Sequence, residues 1–264
     1  MIKLENFEVM GWEHAIRGMR NPMNSWEKSD SEPGCEIVEG SHRYCRECDD
    51  VICIHGNRVC GKGNIPGYVI GPNDHELMMK LANAGDDHGK VIRYLDVYVD
   101  ITAPLYFWKE FRTYRKGRQF MDDGDDFLDP DALEMHIETN SCSTMHKIHD
   151  KEFTREDFSY EHLISTEPIP CRDYSALGML DATVYNLNKF RDLYLETKDK
   201  KYWWQMIQLL PSSYNQKRTV KLNYQVLKNM YHARKNHKLD EWVDFCKWIE
   251  SLPYSEIITG EEDK

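Results

Sequence analysis

LLPSSYNQKRTVKLNYQVLKNMYHARKNHKLDEW, residues Leu209 to Trp242, is the stretch around which the rest of the chain is arranged. It opens with a hydroxyl- and amide-bearing turn, Pro211–Asn215, followed by a basic pair, Lys217–Arg218. From about Thr219 to Arg234 the spacing predicts an amphipathic helix, because Val220, Tyr224, Leu227 and Tyr231 recur at helical intervals. Asn223 and Arg234 stand eleven positions apart on a neighbouring stripe, about three turns or ~16 Å along a helix axis. That span suits contact with two ends of an extended anionic ligand. It equally suits an ordinary surface helix with solvated charges.

Outward from this stretch, the pattern is that of a globular protein. The 264 residues are 41% hydrophobic and 30% charged, enough to bury a full core in one domain spanning 1–264. No apolar run reaches the ~20 residues of a membrane span, and the N-terminus lacks the apolar core of a signal peptide. A cytoplasmic protein without a membrane partner is the expectation. The net charge of −11 argues against nucleic acid, whose binders are basic. A local excess at Lys217, Arg218, Lys221, Arg234 and Lys235 still suits a small anion.

Ile2–Val9 reads as an edge strand and Glu13–Met19 as a short helix. Residues 35–64 form a Cys-rich insertion, in which Cys45, Cys48, Cys53 and Cys60 are spaced C-x2-C-x4-C-x6-C. Four thiolates so close suit a structural zinc site; unligated thiols are the other reading. Asn73–Gly85 reads as a helix with a capping box from Asn73 to Glu76. Val91–Thr102 alternates apolar and polar residues as a half-buried strand does. Pro104 starts a helix ending in Arg112, Tyr114, Arg115 and Lys116. Residues 118–138 form an acidic loop insertion, and Asn140–His149 is a polar loop that could hold a ligand. Thr154–Asp157 begins another helix, with those two residues shaped like a cap. Helices follow over Leu180–Tyr194, Lys198–Leu210 and Leu239–Leu252.

In this order the pieces over Asp87–Trp242 resemble the flavin-dependent thymidylate synthases. His88–Gly89, the alternating strand and Ala103–Pro104 look like that family's strand entry and Ala-Pro turn. Of its Arg-His-Arg signature only Arg115 remains, with Thr113 and Tyr114 in the other places. Asn140 and Ser143 fit its Asn-Glu-x-Ser-x-Arg-Tyr stretch, but Ser141, Met145 and His146 replace the Glu, Arg and Tyr. Asn223 and Arg234 fall in register, whereas Gln225 stands where an Arg is expected.

The resemblance implies an α/β (α+β) fold, a central antiparallel sheet flanked by long helices, assembled as a homotetramer with sites between subunits. It implies FAD, NADPH and methylenetetrahydrofolate, and methylation of deoxyuridylate (dUMP) to thymidylate. His88, Arg115, Asn140 and Asn223 would hold the flavin. Ser143, Lys217, Arg218 and Arg234 would hold the nucleotide, with Arg234 also stabilising charge on the uracil ring in catalysis. The substitutions in the signature leave two alternatives. One is an enzyme of the same fold acting on another pyrimidine nucleotide. The other is a non-catalytic nucleotide-binding or interaction protein with a zinc loop.

Overall fold

The computed structural model describes residues 2–33, 37–38, 41–42, 68–85, 88–115, 137–166 and 175–260. Cys45, Cys48, Cys53 and Cys60 lie outside the described residues, as does the acidic loop up to residue 136. The elements run β1 Lys3–Met10, α1 Trp12–Arg20, β2 Glu32–Pro33, β3 Ile37–Val38, β4 Ser41–His42, β5 Tyr68–Val69 and α2 Pro72–Asn83. They continue with β6 Asp96–Pro104, α3 Leu105–Phe111, β7 Glu138–Ser141, α4 Ala176–Thr197 and α5 Lys200–Leu209. The chain ends with β8 Asn215–Asn223, α6 Tyr224–Arg234, α7 Asp240–Glu250 and α8 Glu256–Thr259.

Four strands form one antiparallel sheet in the order β1-β6-β8-β7. The expected α+β architecture is therefore present. β6 and β8 bury alternate residues: Val97, Val99 and Ile101 on one, Gln216, Arg218, Val220 and Leu222 on the other. The apolar ones among these join α1, α2, α3, α6, α7 and α8 in one hydrophobic cluster that includes Trp108, Trp242 and Phe245. A second cluster, with Phe153, Phe158, Leu187 and Met206, forms under the α4–α5 hairpin. That hairpin is punctuated as its sequence dictates. Ser175 accepts from the Gly178 N–H, Lys198 turns left-handed at φ 56°, and Asp199 accepts from the Lys201 N–H.

The main correction falls inside the stretch 209–242. Residues 215–223 are a strand, and the helix begins only at Tyr224. Helical and strand periods coincide at Val220 and Tyr224, so the four apolar positions chosen could not separate them. The alternation of buried Gln216, Arg218, Val220 and Leu222 with outward Lys217, Thr219 and Lys221 could have. Asn223 ends the strand and caps the helix, its Oδ1 accepting from the Val226 N–H at 3.0 Å. Val91–Thr102 is likewise shared: Gly89–Arg93 is a 3-10 turn and the strand starts at Asp96. The capping box of Thr154 and Asp157 is present, but it closes a 3-10 turn of three residues, Arg155–Asp157, rather than a helix. α2 starts at Pro72, and the expected Asn73 cap does not form. Instead the Asp30 carboxylate accepts from the N–H groups of Asn73 and Asp74.

Candidate functional site

The sheet turns its polar face outward. Directly opposite residues share a face, so Glu5, Asp100 and Thr219 form one row across three strands, and Asp96 stands beside Asn223. Asp100 accepts from Thr219 Oγ1 at 2.7 Å and Asn6 Nδ2 at 3.1 Å, with Lys217 Nζ 3.2 Å away. Those hydrogen bonds, Thr219 first, hold its carboxyl down at about 2. Its partner Lys217 is raised by the Asp100 contact. Lys221 pairs with Asp96 at 3.1 Å.

Several expected residues gather at the β7–β8 end of this face. Asn140 lies across from Thr219, and Cys142 N–H donates to the Lys217 carbonyl at 3.0 Å. Ser143 follows, its Oγ accepting from the N–H groups of His146 and Met145. Arg218 does not join them. It faces the core at 4% exposure, donates to Gln216 Oε1, and lies 4.3 Å over the Trp108 ring. Of the basic pair, only Lys217 reaches the polar face. His88 is exposed beside the 3-10 turn at 89–93, where Gly89 approaches Gln225 at the start of α6. Arg234 ends α6 and Asn223 caps it, so the helix itself separates them. Arg234 is held by Tyr114 and by Glu110, 3.2 Å from its Nη1. Arg115 closes the 3-10 turn 112–115, and its side chain lies outside the described part.

A groove with a volume of about 640 Å³ opens where α1 meets the 89–93 turn and the edge of the polar face. Its lining includes Gly11, His14, Arg17, Arg93, Tyr94 and Tyr98, none of them expected from sequence. Tyr94 is 55% and Tyr98 37% exposed, large rings left facing solvent. Arg17 Nη2 lies 3.0 Å from His14 Nδ1. Gly11 makes the close approach possible: at φ 99° it passes Tyr94, whose carbonyl oxygen would sit 2.0 Å from any Cβ there. Asp96 also lines the groove, and its opposite number on β8 is Asn223. A sequence signal existed, since His14, Arg17, Gly18 and Asn21 recur at helical spacing.

No protein-family model matches the chain, and no curated protein sequence does. Solved structures do. Thymidylate synthase X from Helicobacter pylori, solved with FAD and dUMP, aligns over 97% of this chain and 96% of its own, with a TM-score of 0.56 at 16% identity. This chain has the fold of the flavin-dependent thymidylate synthases. Another structure of the flavin-dependent thymidylate synthase ThyX from Helicobacter pylori, also complexed with FAD and dUMP, aligns over 97% and 95% with a TM-score of 0.54 at 16% identity. The UMP/dUMP methylase PolB from Streptomyces cacaoi, bound with 5-Br dUMP, aligns over 98% and 94% with a TM-score of 0.53 at 10% identity. The thymidylate synthase fold thus extends through nearly all of the chain, while its side chains have diverged widely. Among the described residues no cluster of His, Cys, Asp or Glu could hold a metal, and no helix is long and apolar enough to cross a membrane.

Proposed function

We propose that this chain is a flavin-dependent enzyme that methylates deoxyuridylate to thymidylate, using methylenetetrahydrofolate and NADPH. The observation that carries the reading is the groove at the edge of the polar sheet face. Its volume falls within the ~300–1,000 Å³ usual for ligand and cofactor sites. Tyr94 and Tyr98 offer ring faces for a planar heterocycle, and Arg17 and Arg93 offer charge for a diphosphate. Asp96, paired with Lys221, lines the groove beside them. This donor set fits FAD, which when bound supplies the redox chemistry. Asn223 stands next to Asp96, so its assignment to the flavin is retained. His88 is exposed on the same turn as Arg93 and remains with it. The likeness to structures solved with FAD and dUMP supports the same ligands here.

Asn140 stays assigned to the flavin, and nucleotide contacts are assigned to Ser143 and Lys217 at the β7–β8 end and to Arg234 at the end of α6. The same reading has the site completed between copies, in a homotetramer. Arg115 remains the flavin candidate of the signature. A second reading, methylation of a different pyrimidine nucleotide such as UMP, is supported by the likeness to the UMP/dUMP methylase PolB.

Incubating the purified chain with FAD, NADPH, methylenetetrahydrofolate and either dUMP or UMP separates the readings. Thymidylate from dUMP, dependent on FAD, is the expected product. Methylated product from UMP alone favours the second reading. Absence of both products from flavin-loaded protein contradicts the proposal.

A further inference from the structure

The last turn of α3, the last residue of α6 and the first turn of α7 meet at one corner of the molecule. There Glu110 Oε2 lies 3.2 Å from Arg234 Nη1, accepts from Trp242 Nε1 at 3.1 Å and stands 3.8 Å from His237 Nε2. Arg234 Nε donates to the Tyr114 hydroxyl at 2.6 Å, and the guanidinium lies 5.4 Å from the Tyr114 ring and 5.0 Å from the Trp242 ring. Both side chains are therefore fixed in place. Each nevertheless keeps one end unused. Arg234 Nη2 and Glu110 Oε1 have no hydrogen-bond partner among the described residues. The side chains stay 20% and 39% exposed, so both ends can meet a ligand.

We infer that Glu110 and Arg234 act together as a reader of the imide edge of a uracil-type base. The guanidinium donates to a ring carbonyl, and the free carboxylate oxygen accepts from the adjacent ring N3–H. The pairing rests on the reading of this chain as a pyrimidine-nucleotide enzyme, and it adds a specificity-determining carboxylate to it. The electrostatics point to base rather than phosphate. A phosphate would meet the Glu110 charge beside the cation it sought, whereas a neutral imide satisfies both groups at once. The aromatic rings that clamp Arg234 fix its plane, which preorganises the donor.

Calorimetric titration of the full chain with deoxyuridine and with 3-methyldeoxyuridine tests this. Methylation removes the N3–H and leaves the ring otherwise intact. Deoxyuridine is expected to bind about tenfold or more tightly than its methyl derivative, as a lost charged hydrogen bond implies. Glu110→Ala brings that ratio to about one. Glu110→Gln keeps an oxygen for Trp242 and the fold, and lowers the ratio about threefold. Equal binding of the two nucleosides to wild-type protein, binding of neither, or an undiminished ratio in both variants overturns the inference. FAD uptake recorded on the same samples keeps two failures apart. Uptake with a ratio of one removes the role of Glu110 alone. No uptake and no nucleoside binding removes the functional reading as well.

Discussion

Asp74→Ala is expected to lower the stability of the chain by about 3–5 kcal/mol, the usual cost of stranding the partner of a buried ion pair. Asp74 is fully buried, and Arg20 is 5% exposed. Arg20 Nε donates to Asp74 Oδ1 at 2.8 Å, and its Nη2 lies 2.7 Å from the same oxygen. The hydroxyls of Ser29 and Ser31 and the Asp30 N–H donate to Oδ2. The clasp therefore ties α1, the 29–31 segment and the first turn of α2 together. Burial pushes the Asp74 carboxyl up, but hydrogen bonds from Ser29, Ser31 and Arg20 outweigh it, and the net direction is down. A depressed folded pKa stabilises the protein above the ordinary carboxyl value of ~3.9 and is lost as pH falls through the folded value. In urea unfolding, wild type should lose midpoint below about pH 4, and Asp74→Asn should lose much less of it there. A neutral-pH midpoint unchanged by Asp74→Ala would mean that Arg20 is solvated without its partner.

Trp242→Ala should cost about as much, roughly 3–5 kcal/mol for a large buried aromatic. The side chain is fully buried, with ring centroids 4.6 Å from Phe107 and 5.8 Å from Phe245 and from Tyr114. It also donates to Glu110 and underlies the Arg234 guanidinium. For a chain of this size the melting temperature should fall by roughly 6–20 °C. Trp204 is the matched control, since it is 43% exposed on α5. Its replacement by Ala should stay within about 0.5 kcal/mol. Equal melting losses at the two positions would contradict the placement of Trp242 in the core.

The element order was legible in the sequence because its punctuation is local. Pro104 marks a helix start that needs no tertiary knowledge. The strand at 215–223 was not, because its buried positions include Gln216 and Arg218, polar residues that a hydrophobic count assigns to the surface. The Trp108 ring and the paired Gln216 oxygen help to make a buried Arg218 tolerable, and both depend on the folded sheet. The groove was missed for a related reason. It joins α1 to residues 93–98, about eighty positions later in sequence, and its floor depends on Gly11 passing the Tyr94 carbonyl. Asn223 and Arg234 do not share one helical stripe: Asn223 ends β8 and caps α6, and Arg234 is the last residue of that helix. Arg234 meets Glu110 and Tyr114, partners that the spacing on α6 could not show.

The central claim is that the groove beside Tyr94 holds a flavin. Titrating FAD into wild-type protein and into Arg17→Ala, while following flavin fluorescence, addresses it most directly. Saturable binding by wild type, weakened about tenfold or more in the variant through loss of one charged contact, is the result expected. FAD that does not bind, or that binds both proteins equally, would contradict the claim.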